Sequence, residues 1–289
     1  MTTNISAEEL PGIVVFQSDF GLKDGAVSAM QGVAMGVSTD LKLFDLTHEI
    51  PAFNIWEASY RLKQTMPYWP AGTVFVSVVD PGVGTERKSV VLKTKTGHYV
   101  VTPDNGTLSL VMETLGIEEI RRIDEEINRR KDSTRSYTFH GRDVYAFTGA
   151  RLASNTIAFD EVGKLLPAEV VSIPYQMAKF DAGTFRGNIP VLDPQYGNVW
   201  TNIPADLFEK NDISYGTEFI VEIRKDEKRI YKGVIPYVTT FGDVPTGQPL
   251  IYVNSLLDIS LALNMSNFAA EFDISSGPGW SVSLKKIDN

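Results

Sequence analysis

The stretch Thr73-Val74-Phe75-Val76-Ser77-Val78-Val79-Asp80-Pro81-Gly82-Val83-Gly84-Thr85-Glu86-Arg87 decides the fold. Its first seven residues are β-branched or aromatic apart from one serine, a continuous apolar run of the kind buried on both faces in a parallel sheet. Asp80 comes where that strand gives way to a loop, and Pro81, Gly82 and Gly84 force the loop to turn. Ligands of open α/β sheets bind at the carboxyl ends of strands. A carboxylate there, followed by Arg87, makes a compact pair of opposite charges. Taken alone, the same residues also describe a solvated surface turn with an ion pair that contributes little.

Towards the amino terminus, residues 1–11 read as a frayed tail and Ile13-Val14-Val15-Phe16 as a first buried strand. Its loop, Ser18-Asp19-Phe20-Gly21-Leu22-Lys23-Asp24, leads into a helix patterned through Val27, Met30, Val33 and Met35, with Asp24 a candidate N-cap. Leu41 to Leu46 makes the second strand, and a loop with His48, Pro51 and Phe53 leads to a second helix, Ile55 to Met66. This β-α-β-α-β alternation predicts a mostly parallel, doubly wound sheet with right-handed crossovers.

Beyond Arg87, Ser89–Thr94 and His98–Val101 read as a hairpin at the sheet margin. Pro103-Asp104-Asn105-Gly106 is a turn before a helix from Leu108 to Leu115. Asp124 to Arg135 is charged enough to predict an exposed, mobile connection. His140 stands at the entrance of a further helix through Val144, Phe147, Ala150 and Leu152. From Pro167 the pattern changes to short alternating strands punctuated by Gly, Asn and Asp, which predicts a small all-β domain. A chain of 289 residues accommodates two domains. Expected are an N-terminal α/β domain over 12–165 and a C-terminal β-barrel domain over 180–289, with the junction between Gly163 and Asp181.

Composition narrows the function classes. The net charge of −9 argues against nucleic acid or an anionic membrane as partner. No run is long and apolar enough for a transmembrane helix, and the first ten residues lack a basic start and an apolar centre, so a cytoplasmic protein is expected. The chain has no cysteine and three histidines, His48, His98 and His140, so neither a metal nor a cofactor is expected. The glycine signatures of nucleotide-binding loops and the G-x-S-x-G elbow are absent.

Five segments in order carry a resemblance. They are Ser18-Asp19-Phe20-Gly21-x-x-Asp24, Asp80-Pro81-Gly82-Val83-Gly84-x-x-Arg87, Pro103-Asp104-Asn105-Gly106, Phe139-His140-Gly141-Arg142-Asp143, and Asp193-x-x-Tyr196-Gly197-Asn198-x-x-Thr201-Asn202-Ile203. Together they resemble the S-adenosyl-L-methionine (SAM) hydroxide adenosyltransferases, which are similar to the fluorinase and chlorinase enzymes. The resemblance runs from about residue 12 to 285. It implies the two-domain arrangement and a homotrimer whose sites lie between subunits. It also implies hydrolysis of SAM to adenosine and L-methionine.

On that resemblance, Asp80, Arg87 and His140 form the set that activates water. Asp19 holds the ribose hydroxyls, and Asp24 and Asp193 face the methionine ammonium. Phe53, Phe139 and Tyr196 supply aromatic surface, Asn198 and the Met265 backbone meet adenine, and Ser255 meets methionine. The fluorinase has Tyr where this chain has Asp80, Thr where it has Val83 and Ser where it has Gly141, differences that argue against halide chemistry. Tyr196 replaces a more usual Phe, and Leu256 stands where the halogenases carry an Arg. A halide-dependent adenosyl transferase and a non-catalytic SAM or adenosine sensor are the alternatives.

Attack at the ribose 5′ carbon expels methionine as a neutral thioether, so no general acid is needed. The difficulty lies in the nucleophile, because bulk water has a pKa near 15.7. A cationic Arg87 supplies field, His140 accepts a proton or positions the oxygen, and Asp80 orients both.

Overall fold

A computed structural model describes residues 9–287. The chain divides into two compact units between Ser172 and Ile173. The first carries a six-stranded sheet: β1 (Ile13–Ser18), β2 (Lys42–Thr47), β3 (Val74–Val78), β4 (Ser89–Thr94), β5 (Tyr99–Pro103) and β6 (Ile117–Arg122), in the order β2-β1-β3-β5-β4-β6. The pairs β1/β2, β1/β3 and β3/β5 are parallel, whereas β4 runs antiparallel to both β5 and β6. Every residue of β3 is buried, as its unbroken apolar run requires.

Alternate residues of the strands feed two cores, one on each face. Val14, Phe16, Val74 and Val76 pack with Met30 of α1 (Ala26–Val37) and Ala150 of α4 (Phe147–Ala153). Val15 and Phe75 pack with Leu62 of α2 (Ile55–Thr65) and Val111 of α3 (Ser109–Leu115). The chain leaves β1 for β2 on one side and then crosses to β3 on the other, so the strand order reverses at β1. That makes the carboxyl ends of β1 and β3 the switch point at which open α/β sheets form their crevice. The two ends lie side by side, with Ser18 paired to Val78.

Three local expectations are corrected. The hairpin is not at the margin, because β5 joins the parallel core through β3 and the outer edge is β6, whose half-buried charged pattern hid it. The segment Asp124–Arg135 is exposed only in part: Asn128, Arg129 and Ser133 are buried, and Asn128 Nδ2 donates to the Val162 carbonyl at 2.9 Å. The expected tail is anchored at Leu10, which is buried and exchanges hydrogen bonds with Asn155; residues 1–8 lie outside the described residues.

Helix boundaries follow local chemistry. Asn54 caps α2 by accepting from the Glu57 amide at 3.0 Å. Asp24 instead accepts from the Ala26 amide at 2.9 Å, while Gly25 occupies the N-cap position of α1. Before α4, residues Gly141–Ala146 form a π-helical turn, an irregularity common at functional sites. Two glycines let this segment lie on β3: a Cβ at Gly149 would sit 2.6 Å from Val76 Cγ2, and one at Gly141 would sit 3.0 Å from Val78 Cγ1. His140 enters that turn, so the approach also sets how near it comes to Asp80.

The second unit is all-β. Its strands are β7 (Lys179–Asp181), β8 (Thr184–Asn188), β9 (Val191–Leu192), β10 (Val199–Pro204), β11 (Glu218–Lys225), β12 (Lys228–Pro236), β13 (Pro249–Val253), β14 (Asp258–Leu263) and β15 (Trp280–Lys286). They form two antiparallel sheets, β13-β14-β10-β9 and β12-β11-β15-β8-β7, rather than one continuous sheet. An isolated bridge joins Tyr237, just beyond β12, to Ile251 of β13. Phe185, Phe208, Phe219 and Phe268 fill the core. No helix among the described residues is long and apolar enough to cross a membrane.

Candidate active site

The loops after β1 and β3 and the entrance to the π-helical turn bring Asp19, Asp80 and His140 to one cleft of about 270 Å³. Phe20, Phe53 and Phe139 line it as well. Asp19 accepts from the Phe53 amide at 2.8 Å. Phe53 holds φ at +68° with its ring 71% exposed, a strained position for a large side chain without apolar burial to compensate. Phe139 packs edge-on against Phe20 at 5.7 Å between centroids, and Arg142 lies over its ring.

Asp80 and Arg87 are joined by a fork. Arg87 Nε donates to both carboxylate oxygens at 2.9 and 3.0 Å, and Nη2 donates to Oδ2 at 2.6 Å. Their side chains are only 5% and 11% exposed, so this pair is largely withdrawn from water and the surface-turn reading falls away. Tyr145 donates its hydroxyl to Asp80 Oδ2 at 3.2 Å, and Arg87 Nη1 donates to Ser89 Oγ at 3.0 Å. Burial, then the Asp80 charge, pushes the Tyr145 pKa up, so its hydroxyl stays protonated.

His140 is buried, and each of its ring nitrogens faces a guanidinium. Nδ1 lies 2.8 Å from Arg87 Nη2, and Nε2 lies 3.3 Å from Arg129 Nη1. Burial first, and then the positive charges of Arg87 and Arg129, hold its pKa below the ordinary value, although Glu125 and Asp80 act the other way. The ring is therefore neutral at pH 7. Arginine only donates, so both ring nitrogens face donors while a neutral ring accepts at only one; the shorter contact makes Nδ1 the acceptor towards Arg87.

A second cleft of about 590 Å³ opens behind this set, lined by Arg87, Ser89, Glu125, Tyr137 and His140. His140 thus belongs to both clefts, whereas Arg87 stands behind Asp80 and lines only the rear one. Asp24 is exposed on the loop leading to α1 and is not among the residues lining either cleft. His48 and His98 have structural places. His48 bonds Ser18 and Asp45, and His98 bonds Thr96 and the Trp69 carbonyl. Among the described residues no group of His, Cys, Asp and Glu could hold a metal ion.

In the second unit, Asp193, Tyr196 and Asn198 share the turn between β9 and β10. Asp193 Oδ1 accepts from the Gln195 and Tyr196 amides, Tyr196 is exposed, and Asn198 is buried. That turn abuts the segment after β14, because the Ala269 amide donates to the Gly197 carbonyl at 3.0 Å and Val199 pairs with Leu261. Met265, with φ +57° and an exposed side chain, lies near this end. Ser255 is exposed in the turn entering β14, beside Ala205 at the other end of the strand. Six residues separate the ends, about 20 Å at the rise of a strand.

Glu125, Arg129, Ser89 and Tyr145 escaped the sequence reading. The only trace of the first two was an i,i+4 pair inside a charged run, and the others looked like ordinary strand and helix residues.

Models of the SAM hydroxide adenosyltransferase N-terminal and C-terminal domains match residues 14–163 and 187–281. The chain is similar to the (R)-S-adenosyl-L-methionine hydrolase of Methanocaldococcus jannaschii, with 41% identity over 203 residues, covering 69% of this chain and 70% of that protein. It is also similar to the fluorinase of Actinopolyspora mzabensis, at 28% identity over 292 residues, covering 92% and 95% respectively. A conserved protein from Thermotoga maritima of known crystal structure superposes with a TM-score of 0.84 at 32% identity, covering 94% of this chain and 99% of that one.

Proposed function

The chain belongs to the SAM hydroxide adenosyltransferase family, and we propose on that premise that it hydrolyses SAM to adenosine and L-methionine. The observation that carries the reading is the bonded Asp80–Arg87–His140 set, whose Asp80 and His140 line a cleft together with Asp19. The water oxygen bonds to the ribose 5′ carbon as the carbon–sulfur bond breaks. The electron pair goes to sulfur, leaving a neutral thioether, and one proton is released.

Asp80 takes that proton. Both nitrogens of His140 are turned to guanidinium groups, whereas the Asp80 carboxylate lines the cleft. A weak base suffices, because the attacking oxygen becomes strongly acidic only as its bond to carbon forms. Arg87, behind Asp80, supplies positive field to the developing hydroxide character, and His140 accepts from Arg87 to hold the fork in register. Attack opposite the leaving sulfur and exclusion of bulk water by Phe20, Phe53 and Phe139 complete the requirement.

Asp19 is positioned to hold the ribose hydroxyls, with Phe53 and Phe139 as the aromatic walls and Asp24 nearer the methionine ammonium. Domains over 12–165 and 180–289 form a homotrimer in the cytoplasm, and the site lies between subunits. There the two sheets of the C-terminal domain act as the walls of a barrel. Asn198 and Met265 meet adenine from that domain, Ser255 and Asp193 meet methionine, and Tyr196 adds aromatic surface. Nucleic acid and membrane have no part in it.

Incubation of purified protein with SAM, followed by chromatography, tests the activity. Adenosine and methionine are expected, and intact bound SAM would leave only a sensor. Halogenated adenosine in the presence of fluoride or chloride would move the protein to the halide-dependent class. Mixing His140→Ala with Asn198→Ala subunits tests the assembly: shared sites recover part of the activity after exchange, and separate sites recover none.

A further inference from the structure

The segment Asp124–Arg135, expected as a mobile connection, delivers a second guanidinium to the catalytic histidine. Arg129 is buried and fixed on every side. Its Nη1 donates to Glu125 Oε2 at 3.0 Å, Nε donates to Ser133 Oγ at 3.0 Å, and Nη2 donates to the Ser136 carbonyl at 3.0 Å. The Tyr137 ring lies 4.6 Å beneath the guanidinium carbon. So anchored, Arg129 cannot retreat from His140 Nε2, 3.3 Å away. Its charge therefore stays at contact range of the imidazole.

We propose that Arg129, held by Glu125, is a positioning residue that keeps His140 neutral, so that Nδ1 remains the acceptor for Arg87. The inference rests on the hydrolase reading for its consequence and on the geometry for its chemistry. An imidazolium between Arg87 and Arg129 would place three cations in a row with only Asp80 and Glu125 to oppose them. It would also lose the acceptor that keeps the Arg87 fork on Asp80. Arg129 disfavours that state from the side opposite Arg87, and Glu125 at its far side tempers the effect. The charged and titratable groups facing His140 are Arg87, Arg129, Glu125, Asp80, Tyr137 and Tyr145. Arg129 lines neither of the two clefts and acts through His140.

Nitrogen-15 NMR of the imidazole rings tests this without any turnover, because only three histidines need assignment and His140→Ala identifies the third. In the wild type the His140 Nδ1 signal is expected in the unprotonated range and Nε2 in the protonated range at pH 7. Arg129→Met should raise the midpoint of the His140 titration by about one pH unit, the size expected for loss of one like charge at contact range. Glu125→Gln should lower it. Arg129→Lys, which keeps the cation, should leave it near the wild-type value.

In SAM hydrolysis the acid limb of kcat should move in the same opposed directions while KM changes less than about twofold, as befits groups that do not touch substrate. An Nδ1–H tautomer in the wild type, shifts of one sign in both Arg129→Met and Glu125→Gln, or an unmoved titration would overturn the proposal. Should Arg129→Met fail to fold, Glu125→Gln and Arg129→Lys decide by the same titration. If the wild type does not cleave SAM, the hydrolase reading fails while the NMR result still judges the clamp.

Discussion

Replacing Arg87 by Met separates a buried ion pair from a decorative one. The substitution keeps length and apolar stem but removes the fork whose three bonds hold Asp80, and leaves a carboxylate only 5% exposed. Breaking one partner of a buried pair costs about 3–5 kcal/mol, because the remaining charge is stranded away from water. With a urea dependence of about 2–3 kcal/mol/M for a unit of this size, the midpoint should fall by about 1–2.5 M. Arg87→Met combined with Asp80→Asn should recover much of that loss, since neither charge then remains unpaired. Urea titration read by amide exchange in peptides from β3 and β4, at fixed protein concentration, reports on the first unit alone. A loss below about 1 kcal/mol for Arg87→Met, the value of an exposed pair, would refute the burial argument. So would a double variant as damaged as the sum of its parts.

Asp143 accepts from Arg142 and Arg130, and although burial acts to raise its pKa, these bonds prevail and hold it below the ordinary carboxylate value. Its contribution is therefore complete above the unfolded value of 3.8 and disappears as pH falls through the folded one. Asp143→Asn should destabilise at pH 7 and cease to differ from wild type in strong acid, measured by urea midpoints across pH. Gly149→Ala places a Cβ 2.6 Å from Val76 Cγ2. The overpacking cost of about 1–3 kcal/mol should outweigh the helix-propensity gain of about 0.5–1 kcal/mol, so the melting temperature should drop. Phe53→Gly should do the reverse, raising stability by about 1 kcal/mol through relief of the positive φ while increasing KM for SAM, and an unchanged KM would remove Phe53 from the substrate wall.

Much of the first unit was legible in residue order. Periodicity marked β1, β2, β3 and four helices, because burial on one or both faces imposes a pattern on consecutive residues. The motif spacing marked Asp19, Asp80, Arg87 and His140, because each stands at a chain turn where a strand ends or a helix begins. β6 was missed because its edge position leaves charges on an otherwise strand-like segment. The buried members of the Asp124–Arg135 run were missed because a buried arginine and an exposed one are the same letter, and only the partners tell them apart.

The sequence by itself determined the alternation of elements, the break between an α/β and an all-β half, and the loops that hold Asp19, Asp80 and His140. All three depend on neighbours along the chain. Tertiary structure alone decided that Arg87 stands behind Asp80, that His140 has no free ring nitrogen, and that Arg129 and Glu125 reach it from a segment without a motif. Those facts depend on distances between residues up to 53 positions apart, such as Arg87 and His140. Such distances are fixed by sheet order at the switch point and by the close approach of the π-helical turn to β3, neither of which local pattern encodes.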